Sequence, residues 1–109
     1  MRAVIRSLFE KVGWDVVAEA ADGQEAVEKS KSYNPDLVVL EMIMPVKNGV
    51  DAAAEIRQSS PSTKLLMFTI HDSEAIRDEV LRFGIDGFVA KSAPSAELLS
   101  EAERILGER

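Results

Sequence analysis

Residues 35–49 read PDLVVLEMIMPVKNG, from Pro35 to Gly49. Within them Leu37-Val38-Val39-Leu40 is apolar without alternation, the pattern of a strand buried on both faces. Asn34-Pro35 ends the element before it, and Asn48-Gly49 opens a helix after it. A doubly covered strand leading into a helix is half of a parallel βαβ crossover, and that settles the fold class.

The unit repeats on either side. Downstream, Val50, Ala53, Ala54 and Ile56 form the apolar stripe of a helix closed by Ser59-Ser60-Pro61, and KLLMFTI (Lys64 to Ile70) is the next strand. Asp72 or Ser73 caps a helix carrying Ile76, Val80, Leu81 and Phe83, which Gly84 stops. Asp86-Gly87 turns into a short strand, Phe88-Val89-Ala90, and Leu98, Leu99, Ala102, Ile105 and Leu106 make an amphipathic stripe towards the C-terminus. Upstream, Asp22 and Glu25 fit a capping box, ahead of a helix with Ala26, Val27 and Tyr33 on its apolar side. WDVVAEA (Trp14 to Ala20) reads as a strand, and Val4, Ile5, Leu8, Phe9 and Val12 as a helix stopped by Gly13. One helix followed by four βα units predicts an α/β domain, a parallel sheet with helices on both faces. Such domains usually open with a strand; this one opens with a helix.

Length and composition agree. The 109 residues suit a single domain spanning 1–109, with no linker or repeat. Apolar residues at 46% and charged residues at 29% are the balance of a globular chain rather than a disordered one. Thirteen basic against nineteen acidic residues leave a net charge of −6, which disfavours direct binding to nucleic acid or anionic membrane. The absence of cysteine excludes disulfides, thiolate zinc and a Cys nucleophile. Apolar runs fall well short of the ~20 residues that span a bilayer. A cytoplasmic location is expected.

In an open parallel sheet, chemistry collects at the carboxyl ends of strands. Those ends carry Glu41, Thr69 and Lys91. A carboxylate, a hydroxyl and an ammonium in one crevice suit a phosphoryl site: an acceptor, a hydrogen-bonding group and a neutralising cation. Other readings of these residues are plainer. Glu41 also suits a simple strand-end carboxylate paired with Lys91, and Lys91 alone suits a solvated loop. His71, the one histidine, reads as solvent-facing, and Met42, Met44 and Met67 as packing. Lys29-Ser30-Lys31 is too short for a nucleic-acid site.

Taken together, PDLVVLEMIMPVKNG, the strand ending at Thr69, and GIDGFVAKSAPSAELL (Gly84 to Leu99) resemble the receiver domain of two-component response regulators over essentially the whole chain. KSAPSAELL is similar to receivers of the NarL/FixJ type, whose usual output is a DNA-binding helix-turn-helix. The resemblance implies a flavodoxin-like (CheY-like) fold. It places Glu41 at the phosphoacceptor position, Pro45 and Gly49 in the following loop, Thr69 as the switch hydroxyl, Phe88 as the switch aromatic and Lys91 as the invariant lysine.

Three departures qualify it. Glutamate stands where the family has aspartate, moving the carboxylate out by roughly 1.5 Å and misaligning in-line attack. The family's first strand, with the acidic pair that helps to hold Mg²⁺, is missing, so Mg²⁺ binding is expected to be weak or absent and no other cofactor is implied. Ser92 follows Lys91 where many receivers have a cis proline. The missing strand also forfeits roughly 8–15 kcal/mol, counting about five side chains at ~1.5–3 kcal/mol each. That rivals the whole stability of a small domain, ~5–15 kcal/mol. Either the flanking strands close up or a partner fills the place. A homodimer is expected, formed by edge pairing, by exchange of the N-terminal helix, or by the face holding Leu98, Ala102 and Ile105.

The expected function is that of a degenerate receiver, not an enzyme, acting in two-component phosphorelay signalling through protein contacts and without phosphorylation. Its partners would be a histidine kinase or an output regulator. The alternatives are the receiver portion of a DNA-binding transcriptional regulator, or a phosphoacceptor receiver whose true start lies upstream of Met1.

Overall fold

The computed structural model describes residues 2–15, 18–43, 45–71 and 73–107. Helix α1 (Arg2–Lys11) ends at Gly13, which sits at φ +87, where a side chain is strained. The Gly13 N–H donates to the Glu10 carbonyl at 3.0 Å and the Trp14 N–H to the Phe9 carbonyl at 3.1 Å. This bond pair is a Schellman stop, and the Phe9 and Trp14 rings, 5.3 Å apart, supply its apolar contact.

Seven elements follow: α2 (Gly23–Tyr33), β1 (Leu37–Leu40), α3 (Gly49–Ser59), β2 (Lys64–Thr69), α4 (Glu74–Arg82), β3 (Gly87–Ala90) and α5 (Ser95–Gly107). The expected caps are in place, with Asp22, Asn48 and Ser73 accepting from the N–H groups of Glu25, Asp51 and Ile76. The sheet among the described residues is parallel, in the order β1-β2-β3, with Leu37 beside Lys64 and Leu66 beside Gly87.

Strand β2 shows why the sheet is covered twice. Its Leu65 and Met67 point into one core with Val27, Ala52, Ile56, Val80 and Phe88, under α2, α3 and α4. Its Leu66 and Phe68 point into the other with Phe9, Leu98, Ala102 and Ile105, under α1 and α5. At the amino end of the sheet Asp86 accepts from the Leu65 N–H at 2.8 Å and from Arg57 at 2.6 Å. Arg57 also donates to the Thr63 carbonyl, tying α3 to both neighbouring strands.

Several expectations are corrected. Trp14 to Ala20 is not a strand in its described residues; Val16 and Val17 lie outside them. Trp14 is engaged in stopping α1, and residues 18–20 lie across a groove from β1 rather than paired with it. Among the described residues no pairing of this segment with β1 is seen. The α5 face with Leu98, Ala102 and Ile105 is core, at most 2% exposed, so it is not available for a dimer. Ala52 rather than Ala54 completes the buried stripe of α3. Tyr33, Leu81 and Phe83 are apolar by type but exposed, and the strand ending at Thr69 leaves Ile70 in solvent. His71 is half-buried rather than solvent-facing, and Met44 and Asp72 lie outside the described residues.

Candidate functional site

Parallel strands deliver their carboxyl ends to one side of the sheet, and β1, β2 and β3 end there in Leu40, Thr69 and Ala90. Glu41 and Lys91 are the next residues along β1 and β3. Their side chains form an ion pair, the lysine 20% and the glutamate 30% exposed. The Lys91 ammonium also lies 5.8 Å from the centre of the Phe68 ring, a cation–π contact that holds it over the sheet.

Thr69 is fully buried between them. Its carbonyl accepts from the Lys91 N–H at 2.8 Å, and its hydroxyl accepts from the His71 N–H at 3.1 Å. The hydroxyl thus fixes the loop after β2.

The loop after β1 is held by close backbone approach. A Cβ on Gly49 would collide with the Glu41 carbonyl, and the Gly49 N–H donates to the Met42 carbonyl at 2.7 Å. Only glycine lets the start of α3 come this near residue 41. The Pro45 carbonyl accepts from the Gly23 and Lys47 N–H groups, docking the loop on the start of α2, and Lys47 pairs with Glu55. Pro45 and Gly49 therefore shape the loop that presents Glu41.

Phe88 lies apart from this group. It is core, 3% exposed, with the Arg77 guanidinium 5.4 Å from its ring centre and donating to its carbonyl at 3.3 Å. Opposite, Glu101 is held below the usual carboxylate range by hydrogen bonds from Arg104, helped by the Phe88 N–H. Neither Arg77 nor Glu101 stood out in the sequence, because charged helical residues carry no periodic signal.

The donor set does not fit Mg²⁺. Among the described residues no three acidic or imidazole side chains gather, and the Glu41 carboxylate is engaged by Lys91. Octahedral Mg²⁺ usually rests on carboxylates in addition to its waters. No helix among the described residues is long and apolar enough to cross a membrane.

Comparison with known proteins gives the frame. The family described as "Response regulator receiver domain" matches residues 1–103. Protein CcdB of Bacillus subtilis (strain 168) is 34% identical over 98% of this chain and 89% of its own length. Transcriptional regulatory protein DegU of Brevibacillus brevis is 36% identical over 96% of this chain but only 44% of its own length, so the chain spans less than half of that relative. A two-component response regulator of the LuxR family from Aurantimonas sp. SI85-9A1 superposes with a TM-score of 0.90 at 35% identity, covering 99% of this chain and 77% of that one. The sheet with helices on both faces is thus the flavodoxin-like, CheY-like fold. Phe9 to Ile105, from the first helix to the last, are built around that sheet, and the chain belongs to the response-regulator receiver family of two-component signalling.

Proposed function

We propose that this chain is a degenerate receiver that signals through protein contacts without being phosphorylated. The observation that carries this reading is the Glu41–Lys91 ion pair. The carboxylate at the acceptor position is already neutralised by the cation that would otherwise meet a phosphoryl group. Its extra methylene misaligns it for attack, and the surrounding donors do not suit Mg²⁺, whose binding here is weak or absent. A fixed carboxylate carries about one negative charge against ~1.5–2 for a phosphoryl group. Glu41 therefore holds Lys91 in a partly engaged position permanently. Thr69 and Phe88 are the switch positions, and the partners are a histidine kinase or an output regulator rather than nucleic acid or membrane.

Intact mass measured after incubation with acetyl phosphate and Mg²⁺ tests the reading. Neither the native chain nor Glu41→Asp is expected to gain a phosphoryl mass. A gain mapping to Glu41 overturns the proposal, and efficient labelling of Glu41→Asp overturns its metal argument.

A second reading has its own support. DegU extends well beyond its match to this chain, as the receiver portion of a transcriptional regulator would require. The coding sequence on either side of the 109 codons decides between them. Of the routes to a homodimer, the α5 face is closed by burial, whereas helix exchange and the outer edge of β1 stay open.

A further inference from the structure

Val46 is the strained residue of the loop that leads from Glu41 to α3. It sits at φ +68, a region that a β-branched side chain rarely enters. The Lys47 N–H donates to the Pro45 carbonyl at 2.7 Å, so residues 45–47 form a γ-turn of the rare, strained hand. Packing gives nothing in return, since Val46 is 82% exposed. Strain of this kind persists only where the surroundings over-determine it.

Those surroundings are the start of α2. The Pro45 carbonyl also accepts from the Gly23 N–H, at 3.4 Å, and the Lys47 carbonyl lies so close that a Cβ on Gly23 would overlap it. On its other side the Lys47 ammonium pairs with Glu55 of α3. Lys47 is thus seated between two helices. Two residues on, the Gly49 N–H donates to the Met42 carbonyl, and a Cβ on Gly49 would overlap the Glu41 carbonyl. The seat at Gly23 is therefore connected to Glu41 through Lys47, Asn48 and Gly49, backbone against backbone.

We infer that Gly23 is a positioning residue for Glu41. Its bare Cα admits the Lys47 carbonyl, and that seat keeps the turn in its strained form and the Glu41 carboxylate on Lys91. Any side chain at residue 23 pushes the carbonyl away, the turn relaxes, and the shift passes through Gly49 to residue 41. By linkage, a change at the Glu41–Lys91 pair is felt at the start of α2 to the same extent. The inference rests on the ion pair itself and stands apart from the phosphorylation state of Glu41.

Acylation of the lysines by acetic anhydride, read by peptide mass with the exposed Lys11 as internal standard, measures whether Lys91 is paired. Glu41→Gln gives the rate for the released ammonium. Gly23→Ala is expected to speed Lys91 acylation roughly fivefold or more, the lower range of coupling between sites. It is also expected to lower Tm, although alanine ordinarily improves a helix. Val46→Gly alone is expected to raise Tm and leave Lys91 protected, because glycine occupies a positive φ without strain. Added to Gly23→Ala, it is expected to restore most of the protection, since the turn then absorbs the displacement. A protected Lys91 in folded Gly23→Ala, or a released one that Val46→Gly does not rescue, overturns the inference. So does a Tm lowered by Val46→Gly. If Gly23→Ala does not fold, Glu41→Gln decides through the Gly23 amide signal in a nitrogen–proton spectrum. That signal is expected to move, and to move less far in the Val46→Gly background. An unmoved signal, or an equal shift in both backgrounds, overturns the inference.

Discussion

The sheet has two outer edges, and they are managed in opposite ways. Along β3, charged side chains take up the outward backbone groups. Arg77 donates to the Phe88 carbonyl, Glu101 accepts from the Phe88 N–H, and Arg104 donates to the Asp86 carbonyl at 3.4 Å. Along β1 the outward groups of Leu37 and Val39 meet the groove, and the strand is only half-buried until Leu40. Both strands are four residues long and largely apolar. The difference teaches that strand composition does not protect an edge. Protection comes from what a neighbouring helix can reach with, and α4 and α5 reach β3 with charge.

Truncation should separate the two edges most sharply. Phe88→Ala, in the completed core, is expected to cost ~3–5 kcal/mol, whereas Leu37→Ala is expected to stay below the ~2 kcal/mol at which fully buried leucines begin. Urea unfolding of both variants measures this, and equal losses would mean that β1 is as covered in solution as β3.

A smaller effect probes the charged capping of β3. Glu101 titrates below the usual carboxylate value in the folded state, so it contributes stability above ~4.3, the value of an unperturbed glutamate. That contribution is lost as pH falls through the folded value. Glu101→Gln, which keeps an acceptor for the Phe88 N–H, should therefore flatten the fall of Tm below about pH 4–5. An unchanged slope would remove the charge on Glu101 from the account of that edge.

What the sequence made legible follows from how local each cause is. The parallel order of βα units, the caps at Asp22, Asn48 and Ser73, and the meeting of Glu41 with Lys91 all follow from short-range pattern plus one topological rule. Of the segment Trp14 to Ala20, read as a strand, the described residues are not in a strand, and Val16 and Val17 lie outside them; strand propensity alone does not supply a neighbour to pair with. Arg57 and Asp86, 29 residues apart, form the clasp at the amino end of the sheet, and neither carries a mark of it in the sequence. The exposure of Leu81 and Phe83 was equally hidden, since an apolar stripe shows that a helix has a face but not that the face is covered.

The groove also governs the order in which the domain comes apart. On the β1 side, α1 and residues 18–20 face β1 across a space, and Phe9 and Trp14 in the α5-side core, the Arg6–Glu19 pair and the Lys29 bond to the Glu19 carbonyl are among the contacts that hold them. Strand β2 is locked between two partners. The amino-terminal segment is therefore expected to open at lower free energy than β2, which should open only with the whole domain. Native-state exchange should show α1 amides opening well below the global limit; α1 and β2 opening together would make the domain a single cooperative unit. Proteolysis would accordingly begin ahead of Asp22 while the three strands remain paired.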